Sequence, residues 1–183
     1  MIDFSGYLQT FWGPATDNPN IPNYSTLDGT NAYGYLDGVA KPFITEDYKK
    51  WTAGALSDFN GKENSKYLDS SETNYIGYKL KKQNEELEEG YNDWYIPACG
   101  QMGLIYLYLN DINKILVSIG QSAKTVSNVW EYYWTSTEYG QYDAYAFSFF
   151  HTKKVGSFDK DTDNFSYKYD AVTMFVRDII TEE

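Results

Sequence analysis

Trp130-Glu-Tyr-Tyr-Trp-Thr-Ser-Thr-Glu-Tyr-Gly-Gln-Tyr-Asp-Ala-Tyr-Ala-Phe-Ser-Phe-Phe150 is the stretch on which the fold turns. It reads as two β-strands, Tyr132–Glu138 and Ala144–Phe150, parted by a glycine-containing loop at Tyr139–Asp143. Aromatic and β-branched residues at period two on both sides of such a loop are a hairpin signal. On the first strand Tyr132, Trp134, Ser136 and Glu138 share one face; on the second, Ala144, Ala146, Ser148 and Phe150 oppose Tyr145, Phe147 and Phe149. Tyrosine is in excess of what one buried face needs. It is also the residue that binding surfaces use for stiff, amphipathic contact at small entropic cost.

Upstream of the hairpin, Met102, Ile105, Leu109, Ile112 and Leu116 recur at intervals of three and four. This spacing predicts one core-facing helix that starts after Pro97 and ends at Gly120. A second, looser helix is predicted from a cap at Ser70 or Ser71 to about Glu88, with Gly90 as its stop. A short helix over Glu46–Leu56 is capped by Thr45. Asp58-Phe59-Asn60-Gly61-Lys62 reads as a turn in which Asn-Gly supplies a positive φ. Downstream, Thr152–Asp170 is polar, and Ala171–Ile179 alternates as a closing strand.

These elements predict an α+β fold: two main helices packed on a small twisted antiparallel sheet. Residues Met1–Ala55 form a loop-rich N-terminal segment, part of the same domain or wrapped on it, and Leu56–Glu183 form the domain proper. Trp94 and Trp134 are expected in the core, and Arg177 is expected to pair with Glu138.

Composition narrows the function. A net charge of −11, with no Lys/Arg cluster, argues against nucleic acid or an anionic membrane as partner. No apolar run approaches the ~20 residues of a membrane span, and the chain opens without the basic and apolar regions of a secretory leader. One cysteine, Cys99, makes neither an intrachain disulfide nor a cysteine-based zinc site. One histidine, His151, lies at a strand end with no glycine-flanked serine elsewhere, so no catalytic triad is expected. No catalytic residues are assigned, and the chain reads as a non-enzyme. Asp159, Asp161, Asp163 and Asp170 have a spacing akin to a calcium loop. Asn164 stands where such a loop needs glycine and no helices flank it, so a solvated acidic loop is favoured over calcium, and no cofactor is assigned.

A set of pieces in order carries a resemblance: Asp58-Phe59-Asn60-Gly61-Lys62-Glu63-Asn64, Asp93-Trp94-Tyr95-Ile96-Pro97, the following Gln101-Met102 helix, Tyr133-Trp134-Thr135-Ser136-Thr137-Glu138, Ala146-Phe147 and Val176-Arg177. Together they resemble a bacterial and phage group of C-type-lectin-like domains, over Leu56–Ile179, roughly two-thirds of the chain. Gln101 replaces the group's usual glutamate, and Met174-Phe175-Val176-Arg177 a more basic ending; both bear on a buried salt bridge. The resemblance implies a C-type-lectin-like scaffold whose C-terminal sheet displays a ligand-binding face. The group includes surface adhesins, phage tail-tip proteins and the variable proteins of diversity-generating retroelements. The ligand-binding residues it points to are Tyr132, Tyr139, Tyr142, Asp143, Tyr145, Ser148, Phe150, His151, Tyr167 and Tyr169. The implied partner is a protein or glycan receptor, and the implied setting a virion tail or bacterial cell surface. Two alternatives stay open: a constant rather than a diversified face, and a structural domain whose aromatic face packs on a second copy in a homo-oligomer.

Overall fold

The computed structural model describes residues 2–3, 10–24, 55–120, 132–149, 155–161 and 171–178. The predicted hairpin forms, its second strand starting one residue early at Asp143 and ending at Phe147, short of the expected end. Strand β1 (Ile2–Asp3) comes first in the chain, and the hairpin strands are β2 (Tyr132–Glu138) and β3 (Asp143–Phe147). They pair antiparallel, with a bulge between Trp134 and Glu138. The segment read as polar loop contains a further strand, β4 (Val155–Asp159), antiparallel to β3. The predicted closing strand is two short ones. β5 (Ala171–Val172) runs parallel to β2, and β6 (Phe175–Val176) pairs antiparallel with β1 and bridges to Tyr95. The main sheet therefore has the order β4-β3-β2-β5, an antiparallel trio with one parallel edge.

Both faces of β2 are buried along its whole length. Tyr133, Tyr145, Phe147 and Phe149 enter one core with Met102, Val172, Met174 and Val176. Tyr132, Trp134, Ala144 and Ala146 enter another with Trp12, Ile76, Trp94, Ile96 and Phe175. The period-two reading of the faces is right, and what it lacked was the second buried face. The sheet is a partition between two cores, which absorbs much of the tyrosine excess.

The helices differ more from expectation. The predicted turn at Asn60-Gly61 is the start of helix α1 (Gly61–Asn64), and Asn60 has φ −91°. Gly61 is small for a different reason: a Cβ there would lie 2.7 Å from the Ala98 nitrogen and 2.9 Å from the Ile96 carbonyl oxygen. Helix α2 spans Ile76–Glu85, and its cap, Tyr75, lies four or five residues after the predicted Ser71 or Ser70. Ser71 is instead taken by Asp69, whose Oδ1 accepts from its N–H at 2.7 Å and its hydroxyl at 2.6 Å. Such a local side-chain turn competes with helix initiation. The long helix is broken at Tyr108 (φ −98°, ψ 10°) into α3 (Cys99–Leu107) and α4 (Leu109–Ser118), ending before Gly120 at φ 78°. Its predicted stripe does face the core: Met102 is buried, and Ile105, Leu109, Ile112 and Leu116 pack partly buried against it. The predicted Glu46–Leu56 helix lies outside the described residues except for Ala55 and Leu56, which are helical.

Residues 10–24 run across the hairpin and are bonded into it. Trp134 Nε1 donates to the Thr10 carbonyl and Trp12 Nε1 to the Thr135 carbonyl, both at 2.8 Å. Glu138 accepts from the Asn18 N–H at 3.1 Å and from Lys160 Nζ, both charged side chains being almost wholly out of water. Lys160 also donates to the Thr16 carbonyl at 2.8 Å and sits 4.8 Å from the Trp12 ring centre, a cation–π contact. The expected Arg177–Glu138 pair does not form: Lys160 holds Glu138, while Arg177 Nε meets Asp93 at 3.0 Å and its guanidinium covers Tyr91.

A buried charge left without its partner is strongly destabilising. Lys160→Met is therefore expected to lose about 3–5 kcal/mol in urea unfolding, with a second change, Glu138→Gln, restoring part of the loss.

Candidate binding face

The polar residues of the hairpin divide into those used inside the fold and those left at its tip. Thr137 is on the inside. Its hydroxyl donates to Asp58 Oδ2 at 2.8 Å and accepts from the Cys99 N–H at 2.8 Å, at the start of α3. Asp58 also accepts from the Asn60 N–H and from Asn64 Nδ2, each at 2.9 Å, and Tyr24 bonds to it. Burial pushes the Asp58 carboxyl up from its ordinary value, and these hydrogen bonds oppose the shift. Gln101 caps α3 by accepting from the Ala98 N–H at 2.9 Å and reaches the Tyr95 hydroxyl at 3.4 Å. Burial and a bond to Asp178 push the Tyr95 phenol to about 12. Burial likewise drives the Cys99 thiol well above its usual range, the opposite of an activated nucleophile.

Three residues assigned to a displayed face are corrected by their burial. Tyr132 packs edge-on to Phe158 at 4.8 Å between ring centres; Tyr145 packs edge-on to Tyr139 at 5.5 Å; Ser148 is fully buried. Each lies beside or within a strand whose two faces are both covered. Phe150, His151, Tyr167, Tyr169, Asp163 and Asp170 lie outside the described residues.

What the structure brings together is the tip. Tyr142 is 60% exposed, Gln141 is exposed, and Tyr139 and Asp143 are half-buried. The tip is closed by the N–H groups of Tyr139 and Gly140, both 3.1 Å from the Asp143 carbonyl. Beside it the exposed residues Ser157, Asp159 and Asp161 line β4 and its end. Asp159 is thus the last residue of a strand, and among the described residues no three His, Cys, Asp or Glu side chains are placed to hold a metal ion. The sequence reading missed β4, and with it the direct opposition of Asp143 and Asp159 across β3 and β4. Alternation in Val155-Gly-Ser-Phe-Asp-Lys160 was its only signal.

No family model matches the chain, and no curated protein matches it. Among solved structures, a fimbrial protein from Bacteroides ovatus aligns with a TM-score of 0.46 at 17% identity, over 95% of this chain and 34% of that one. The chain spans about a third of that protein's length, and at this TM-score the likeness carries neither a fold nor a function. Among the described residues no helix is long and apolar enough to cross a membrane.

The tip has a pH signature. The Asp143 carboxyl is pushed up by burial first, then by the charge of Asp159 and a hydrogen bond shared with it, with Lys160 opposing. A carboxyl raised in the native state binds protons that the unfolded chain releases, so its contribution to stability is lost as pH rises above the ordinary carboxylate range. Asp143→Asn should raise the thermal midpoint at pH 7, by an amount within the roughly 0.2–1 kcal/mol of a cross-strand pair, and leave it unchanged at about pH 3, where Asp143 is protonated in both states.

Proposed function

We propose that this chain is a non-enzymatic binding module with a C-type-lectin-like fold, of the kind borne on bacterial or phage surfaces. It presents the Tyr139–Asp143 tip and the adjoining end of β4 to a protein or glycan receptor. The observation that carries the reading is Tyr142: a tyrosine 60% exposed at the tip of a hairpin whose strands are otherwise buried. Large rings on rigid supports lose little entropy on binding, and such residues dominate interface energetics. Around it, Gln141, Asp143, Asp159 and Ser157 supply polar partners at a rim. The scaffold supports the same reading. Residues of the motifs behind the resemblance take structural positions: Asp58 under Thr137, Trp94 and Trp134 in one core, and Val176 bonded to Tyr95.

The retroelement-diversified form of this reading extends the face to Phe150, His151, Tyr167 and Tyr169. Its mark is an adenine-rich near-copy of these codons beside a reverse-transcriptase gene. The alternative of an aromatic face packed on a second copy loses Tyr132 and Tyr145, which are spent in the chain's own cores.

Screening the full chain against glycan and protein arrays tests the proposal. Tyr142→Ala is expected to weaken the captured ligand by about 2 kcal/mol or more, some 30-fold, with the unfolding midpoint unchanged. A variant that binds as tightly as the parent would overturn it.

A further inference from the structure

The helix pair α3 and α4 carries a second surface, separate from the hairpin tip. Beside the core-facing stripe runs an apolar stripe open to solvent: Leu104 is 36% exposed, Tyr108 60%, Ile115 61% and Ile119 66%. At 3.6 residues per turn these positions fall on one side of the helical path. That path continues through the break, since the Tyr108 N–H bonds to the Leu104 carbonyl at 3.1 Å and the Ile112 N–H to the Tyr108 carbonyl at 2.9 Å. Between the two apolar ends lie Asp111 and Lys114, paired at 2.7 Å and both well exposed.

Single apolar residues on a surface are ordinary. The order of these six is not, because two apolar residues stand on each side of an acid–base pair, so that reversing it sets apolar against apolar and acid against base. A surface of that kind is complementary to itself under a two-fold rotation. We propose that this stripe is an isologous docking surface for a second copy of the chain, with the two α4 helices lying antiparallel. In the register centred on positions 111 and 112, Leu104 meets Ile119 of the second copy and Tyr108 meets Ile115. Asp111, opposite Ile112 of the second copy, then lies about 3 Å along the axis from Lys114 of that copy, and Lys114 is set likewise from its Asp111. A parallel arrangement would set acid on acid and base on base, so the charges select the antiparallel one.

Two magnitudes set the strength. The net charge of −11 on each copy opposes association, so contact depends on this local match of apolar and charged groups. A single helix pair lies at the small end of specific interfaces, below about 1,200 Å² in total. The dimer is therefore weak and concentration-dependent.

Sedimentation velocity on the full chain over a wide concentration range tests this. The parent chain should pass from monomer to dimer as concentration rises, and Ile115→Glu should stay monomeric throughout. Asp111→Lys alone and Lys114→Asp alone should each stay monomeric, because each sets like charges together across the axis. An equimolar mixture of those two variants should dimerise, since each copy then presents the charge that the other lacks. All three positions are exposed, so circular dichroism should show an unaltered fold. A parent chain monomeric at every concentration, a dimer that survives any of the single changes, or a mixture that remains monomeric would each overturn the proposal.

Discussion

A strand with both faces out of water is penalised for each polar group it leaves unpaired, and β2 carries many. From Thr135 to Glu138 it has four consecutive polar side chains, all buried. Unpaired, each would cost on the order of 1–3 kcal/mol. Thr135 bonds to the Tyr145 carbonyl, Thr137 to Asp58 and to the start of α3, and Glu138 to Lys160 and residue 18. Among these four, the Ser136 hydroxyl is without a partner, although its N–H donates to the Pro97 carbonyl at 3.0 Å. The demand for partners thus ties the N-terminal segment, the Asp58 turn, the helix start and the end of β4 to one strand.

This explains which parts of the fold were legible. Period-two alternation is a property of neighbouring residues, so the hairpin and the assignment of its faces to two sides could be read directly. Even the closing segment obeyed it, with Val172, Met174 and Val176 in one core and Phe175 in the other. What alternation does not contain is whether the second face is covered. That depends on Trp12, Ile76 and Trp94, which come from far along the chain. Tyr132 and Tyr145 were therefore read as displayed when they are buried. Lys160 was opaque for the same reason: a lysine in an acidic, polar run looks solvated until Glu138, Thr16 and Trp12 are placed around it. Helix ends were misplaced where local turns intervened, at Asp69–Ser71 and at Tyr108.

The division between scaffold and display is sharper than the sequence suggested. The residues that carry the resemblance are spent on internal contacts, and among the described residues two exposed surfaces bear on binding: the tip around Tyr142 at one place and the apolar stripe of α3 and α4 at another. The first supplies a stiff aromatic with polar neighbours, suited to a foreign ligand. The second is a self-complementary surface suited to another copy of the chain. A weak pairing of copies would multiply the strength of whatever the tip binds, by converting a second contact into an intramolecular one.

The central claim is that residues 10–24 and the hairpin form one cooperative unit through the buried polar contacts of β2. Native-state hydrogen exchange measures this most directly. The Trp12, Asn18 and Tyr24 amides, bonded to Lys160 and Glu138, should exchange with the same free energy as Ser136, bonded to Pro97, that is, only through global unfolding. Exchange of the 10–24 amides at a distinctly lower free energy, with β2 still protected, would contradict the account.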